Sequence, residues 1–179
     1  NGTVTRAEFL KMAMDSFGIV GHAYRDGECL DATNDDWYCY YLQGALDKDI
    51  IPEEMIENCN VTKVTKTLAE ATDDKKAVTT DVNVYTGKFD GDKPITREEM
   101  AAIAVRCKNY KMRRLTDWDN ERRYPIFSFK DSDEIDEKYI SDVVEAYNLN
   151  YIDGMEDGRF APKENLTRAQ AAVVMNNLK

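Results

Sequence analysis

Apolar residues recur at helical spacing three times along this chain, and each time the same kind of polar quartet precedes them. The segments are "TVTRAEFLKMAMDSF", "PITREEMAAIAVRCK" and "NLTRAQAAVVMNNLK". Counted from Thr5, Thr96 and Thr167, positions +4, +7, +8 and +11 carry Phe9, Met12, Ala13 and Ser16 in the first copy. The second carries Met100, Ile103, Ala104 and Cys107, and the third Ala171, Val174, Met175 and Leu178. One stripe in one register predicts three amphipathic helices. Each Thr stands at an N-cap with Glu8, Glu99 or Gln170 three residues on, the spacing of a capping box. Helices of about 13 residues are marginal alone, so the three stripes are expected to bury one another around a pseudo-threefold axis.

Between these helices a second pattern repeats. In "DEKYISDVVEAYNLNYI", Tyr139, Ile140, Val143, Val144 and Tyr147 form another helical apolar face. The stretch "CLDATNDDWYCYYLQGALDKDII" aligns with it, Asp31 beside Asp131, Trp37 in the place of Tyr139 and Cys29 in that of Phe129. Phe89 and Phe160 each stand seven residues ahead of a capping Thr. The interval from Ile51 to Phe89 is thirty residues longer than that from Ile152 to Phe160, which marks an insertion. Within it "TTDVNVYTG" alternates like a short strand, and "KTLAEATDDKKA" reads as a helical turn or two. The expected fold class is mainly α: a central three-helix bundle, short helical prongs, and a small inserted segment that could contain a strand.

Charge narrows the partners. Among 179 residues, 34 acids outnumber 24 bases, giving a net charge of −10, which argues against nucleic acid. No apolar run nears the roughly 20 residues of a membrane span. Cys29, Cys39, Cys59 and Cys107 are widely spaced, and His22 is the only histidine, so neither a zinc site nor His-based catalysis is indicated. Cys107 falls on an apolar helix face and reads as a small buried hydrophobe, while Cys29 and Cys39 could pair in an oxidising compartment. "DGMEDGRFAPKE" has some EF-hand spacing, but Met155 occupies a ligand position and the loop reads as a glycine-bearing turn. No catalytic motif selects a nucleophile or an acid–base pair, so no enzyme activity and no cofactor or metal is expected.

The Phe-x-Asp turn, the aromatic-led helix, "YIDGMEDGRFAP" and "LTRAQ" together resemble the S-layer homology module of bacterial surface proteins. The resemblance covers a closing helix of a first module (1–20), a second module (27–112) with an insertion at about 53–88, and a third module (127–179), packed as one unit. The second module departs from the family pattern by reading "DIIPE" where a glycine loop is usual. The resemblance implies a three-pronged spindle in the bacterial cell wall or surface layer. It also implies non-covalent anchoring to a secondary cell-wall polysaccharide, often pyruvylated, in grooves between modules. The quartet arginines that would hold the anionic sugar are Arg6, Arg97 and Arg168. The alternative is a surface-protein assembly module that binds no carbohydrate, with other surface-layer proteins as partners.

The residues themselves bear on that role. An arginine at the first helical position opposes the helix dipole, by roughly 0.3–1 kcal/mol, so three of them in an acidic chain suggest nearby anions. A guanidinium fork beside helix N–H groups suits a carboxylate. Internal pairing, for instance with Asp31 or Asp131, is the plainer account. Trp37 and Tyr139 could face sugar rings or simply fill the core. Asp153 and Gly154, in the loop reaching Gly158, are expected along one wall of a groove. The first module's prong would lie ahead of Asn1, so at most two grooves are expected complete. Arg168 or Arg97 is expected in the best formed of them, and Arg6 ranks last.

Overall fold

The computed structural model describes residues 2–21, 28–33, 35–69, 77–113 and 129–178. His22 and residues 70–76 of "KTLAEATDDKKA" lie outside the described residues. Among the described residues there are five α-helices: α1 (Arg6–Ser16), α2 (Cys39–Leu46), α3 (Arg97–Arg113), α4 (Ile140–Asn148) and α5 (Arg168–Asn177). The strands are β1 (Glu28–Cys29), β2 (Ala32–Thr33), β3 (Glu57–Ala69) and β4 (Val78–Lys88), paired antiparallel as β1–β2 and β3–β4.

The three capped helices begin as their sequences dictate. Thr5 and Glu8, and Thr167 and Gln170, form reciprocal capping boxes. Thr96 and Glu99 exchange the same two bonds, at 3.2 and 3.4 Å. One residue before each cap, the backbones join in a closed triangle. Val4 N–H donates to the Leu166 carbonyl at 2.9 Å, Leu166 N–H to Ile95 at 2.9 Å, and Ile95 N–H to Val4 at 3.0 Å. The first helical N–H groups are satisfied in the opposite rotation: Arg6 donates to Lys93 O, Arg97 to Glu164 O and Arg168 to Gly2 O. Sequence repetition therefore becomes a pseudo-threefold collar in which every copy bonds to the next. Isoleucine, valine and leucine at the triangle's corners are all buried, which shields these bonds from competing water.

One hydrophobic core lies beneath the collar. It includes Phe9, Leu10, Ile103, Phe160, Leu166 and Val174. From the stripe positions Ile103 and Val174 are buried, while Met12 is only partly so. Helix α1 packs against both α3 and α5. Cys107 is fully buried, and burial raises its thiol pKa far above the usual range. Cys29 and Cys39 are buried free thiols.

The expectation of a mainly α fold is corrected. The class is mixed, because β3 and β4 form a long antiparallel ribbon and β1–β2 a second, short one. The β3–β4 register pairs Thr62 with Val84, Val64 with Val82 and Lys66 with Thr80. Alternating Thr and Val favour extended backbone over helix, since their branched Cβ loses rotamer freedom in a helix. Strand β3 also takes in Leu68 and Ala69, read from sequence as helical.

The prong register also shifts by one. Tyr38 precedes α2 as Tyr139 precedes α4, and both rings are buried, at 6% and 2% exposed. Trp37, aligned above with Tyr139, is instead 52% exposed. A Cβ on Gly91 would lie 2.6 Å from the Tyr38 ring, so this packing needs a glycine there.

Candidate functional site

The aspartates expected near the arginines serve another purpose. Asp131 accepts the N–H groups of Phe160 and Ala161, both at 2.8 Å. Asp31 accepts those of Phe89 and Asp90, at 2.7 and 2.9 Å. Each carboxylate thus ties down the turn that carries a buried phenylalanine. Ala161 and Asp90 both sit at positive φ, 59° and 56°, and the two bonds hold each turn in that conformation.

Each phenylalanine turn receives an arginine from the preceding capped helix. Arg6 donates from Nη1 to the Phe89 carbonyl at 2.7 Å, and its guanidinium lies 5.9 Å from the Phe89 ring centroid. Arg97 donates from Nε to the Phe160 carbonyl at 2.7 Å and lies 5.1 Å from that ring. The capping-box residue of the following helix then decides the charge. Arg6 Nε donates to Glu99 at 3.2 Å, and its Nη2 pairs with the same carboxylate. Arg168 meets Glu8 at 3.3 Å. At Arg97 the corresponding residue is Gln170, and among the described residues no carboxylate forms an ion pair with Arg97. Its second acceptor is the Asp153 carbonyl at 3.0 Å. The side chain is buried, and desolvation lowers its pKa below the ordinary arginine value.

Three grooves follow the same rotation. The largest, about 460 Å³, brings Arg6 together with Met55, Glu98, Glu99, Tyr139 and Lys163. A second, about 180 Å³, joins Arg97 to Tyr151, Asp153, Gly154, Gln170 and Val173. The third, about 220 Å³, joins Arg168 to Val4, Glu8, Met12 and Trp37. In the Arg6 groove the arginine comes from one repeat, Met55 from the loop of the next and Tyr139 from the prong of the one after, whereas the Arg97 groove has the loop residues Asp153 and Gly154 and the Arg168 groove the prong residue Trp37. This rotation gives Arg6 both walls, loop and prong, although it ranked last in the sequence reading. Trp37 and Tyr139 fall in different grooves, and Asp31 and Asp131 stand behind the turns. Gly154 is required by close packing, since a Cβ there would lie 2.7 Å from the Phe129 ring, which stacks on Phe160.

Sequence reasoning missed a further cluster on the wall of the largest groove. Lys163 Nζ lies 2.6 Å from both Glu98 and Asp136, and Glu98 also accepts the Asp136 N–H at 3.1 Å. Burial raises the Glu98 pKa, opposed by the Lys163 hydrogen bond, whereas that same lysine lowers the pKa of Asp136. Glu98 sits where the other repeats have Ala7 and Ala169, so a repeat alignment alone could have singled it out.

This collar of threonine-capped helices, each opening on an arginine, with prongs between them, defines a module built from repeats. Residues 128–172 match the S-layer homology domain, a cell-wall-associated module of bacterial surface proteins. The matched residues are a non-catalytic anchoring unit. The chain is 32% identical over 178 residues to an amylopullulanase of Thermoanaerobacterium thermosulfurigenes, covering 99% of this chain and 8% of that protein. It is 32% identical over 176 residues to exoglucanase XynX of Acetivibrio thermocellus, covering 98% and 13%. An endoglucanase of Bacillus sp. strain KSM-635 is 37% identical over 102 residues, covering 55% and 10%. The chain thus spans only about a tenth of these relatives. No helix among the described residues is long and apolar enough to cross a membrane.

Proposed function

We propose that this chain anchors a surface protein non-covalently by binding a secondary cell-wall polysaccharide in its inter-module grooves, with an anionic sugar received at Arg97. The modules would be residues 1–20, 27–112 and 127–179, with the segment at about 53–88 as an elaboration of the second. The observation that carries the reading is the partner set of Arg97. Its guanidinium is buried beside a groove with two carbonyl acceptors, while a glutamine stands where Glu99 and Glu8 serve the other arginines. A sugar-borne carboxylate would complete that set as a charge-assisted acceptor. Arg6, by contrast, is already neutralised by Glu99, so its larger groove suits the uncharged part of a polymer.

The test uses purified cell-wall sacculi before and after removal of their accessory polysaccharide. The intact chain should sediment with the first and not the second. Arg97→Ala should weaken binding about ten- to a hundredfold, the equivalent of roughly 1.5–3 kcal/mol for one charged hydrogen bond, and Arg97→Lys should restore only part. Equal binding to stripped sacculi would refute carbohydrate recognition and favour a protein-assembly role.

A further inference from the structure

We propose that the outer edge of β4 is a docking surface for the same strand of a second copy of this chain, giving a four-stranded sheet in the order β3–β4–β4′–β3′. The ribbon's strands are long, 13 and 11 residues, and a two-stranded hairpin standing alone is marginal in water. Among the described residues they pack chiefly on each other and, at the base, on the short turn Glu53–Met55. The two edges differ. Natural edge strands discourage pairing with lysine, proline or a bulge. Strand β3 has Lys63 and Lys66, and the extra residue at both irregularities of the register falls on it: Glu57 to Asn60 lies opposite Lys88 to Thr86, and Thr67 to Ala69 opposite Thr79 to Val78. Residues 79–86 of β4 have no lysine, arginine, proline or bulge. Their one charge, Asp81, is engaged within its own ribbon, accepting from Thr65 Oγ1 at 2.7 Å and pairing with Lys63 at 3.5 Å.

The occupant is a second copy because this edge complements itself. Antiparallel pairing centred on Val82 sets Val82 against its copy, Thr80 against Val84 and Val78 against Thr86. On the other face Asp81 meets Asn83 and Thr79 meets Tyr85. No like charges stand opposite, the carboxylate meets an amide, and β-branched and aromatic residues pair across the seam. Val64 and Val82, already paired across the ribbon, join their copies in one apolar row. In a single copy that face is open, Val64 being 38% and Val78 53% exposed. A twofold axis through Val82 makes the contact isologous, and the lysine-bearing β3 strands lie outermost, so the assembly closes as a dimer.

Sedimentation equilibrium of the full chain should give twice the chain's mass at high concentration and the monomer on dilution. Val82→Lys sets two lysines face to face at the axis and should weaken association about tenfold or more. Thr62→Lys adds the same charge to β3 and should leave association unchanged. A second measurement keeps the ribbon's own side chains nearly intact. In a Cys59→Ser chain, Val82→Cys should cross-link to its copy on mild oxidation with copper–phenanthroline. Val64→Cys should not, because three strand spacings, about 14 Å, separate it from its copy. A monomer at every concentration would overturn the proposal, as would a dimer that Val82→Lys leaves intact or equal cross-linking from the two cysteine positions. No wall polymer is involved, so failure here leaves the reading of Arg97 standing.

Discussion

Glu99 clasps Arg6 with both carboxylate oxygens across the α1–α3 boundary, and both residues are buried. Arg6 also donates to the carbonyls of Met55 and Phe89, so one guanidinium fastens α1 to the base of the inserted ribbon and to the second phenylalanine turn. Removing either ion leaves the other uncompensated. Glu99→Ala and Arg6→Ala should each destabilise by about 3–5 kcal/mol. The double variant should lose less than the sum, since the stranded charge is gone. Urea midpoints of the four proteins check this; strict additivity would show the pair to be unimportant.

Gln170→Glu tests the logic of Arg97 from the other side. Glutamate still completes a capping box with Thr167, so α5 should remain intact. The new carboxylate would pair with Arg97 as Glu99 pairs with Arg6. Affinity for sacculi should fall about tenfold or more while thermal stability holds or rises. Unchanged affinity with a formed ion pair would mean that Arg97 does not receive an anion.

Asp131 and Asp31 perform one task at different depths. Asp131 is buried and Asp31 exposed. Each accepts two backbone N–H bonds, worth about 1.5–3 kcal/mol apiece to a charged acceptor when water is excluded. Asp131→Ala should therefore cost about 3 kcal/mol or more, and Asp31→Ala clearly less because water can replace the carboxylate. Paired denaturation curves decide; equal losses would show that burial does not set the value.

Local signals carried much of this far. Thr, a glutamate or glutamine three residues on, and an apolar stripe fix a helix within one turn of chain, and all three capped helices begin where those residues place them. Exchange between repeats was not legible. That Arg6 belongs to the turn of Phe89 and the carboxylate of Glu99 depends on how the copies rotate about the collar, which no local window records. The Trp37–Tyr38 register failed because both are aromatic and only packing against Gly91 selects Tyr38 for the core. The ribbon was underestimated because "KTLAEATDDKKA" has helix-favouring Leu, Ala and Lys, while strand pairing with residues 78–80 prevails at its start.

Glu98 gives stability a defined pH dependence. Burial raises its pKa in the folded state, so the native protein holds this proton more tightly than the unfolded chain. With more protons bound in the native state, stability falls as pH rises from the ordinary carboxylate range through the raised folded value. Glu98→Gln removes that dependence while keeping an acceptor for the Asp136 N–H. The difference in urea midpoint between variant and wild type should therefore shift in the variant's favour as pH rises across this window. Asp142, also raised by burial although opposed by Arg106, acts in the same direction and remains in both proteins. A difference that does not change as pH rises from the ordinary carboxylate range toward neutrality would contradict the assignment.

The prong helix α2 buries a polar side chain at a position where its repeat has an apolar one. Gln43 is fully buried, and among the described residues neither its Oε1 nor its Nε2 has a hydrogen-bond partner. Counted from the tyrosines before each helix, the corresponding residue of α4 is Val144. An unsatisfied buried amide loses its hydration without return, at about 1–3 kcal/mol. Leucine matches the volume of glutamine more closely than valine does and carries no polar atom to strand. Gln43→Leu should therefore raise stability by about 1–3 kcal/mol, and Gln43→Val by less, because the smaller side chain leaves a cavity. Neither change touches a groove arginine, so binding to sacculi should be unaltered. A drop in melting temperature for Gln43→Leu would show that the amide has a partner worth more than the apolar contact replacing it.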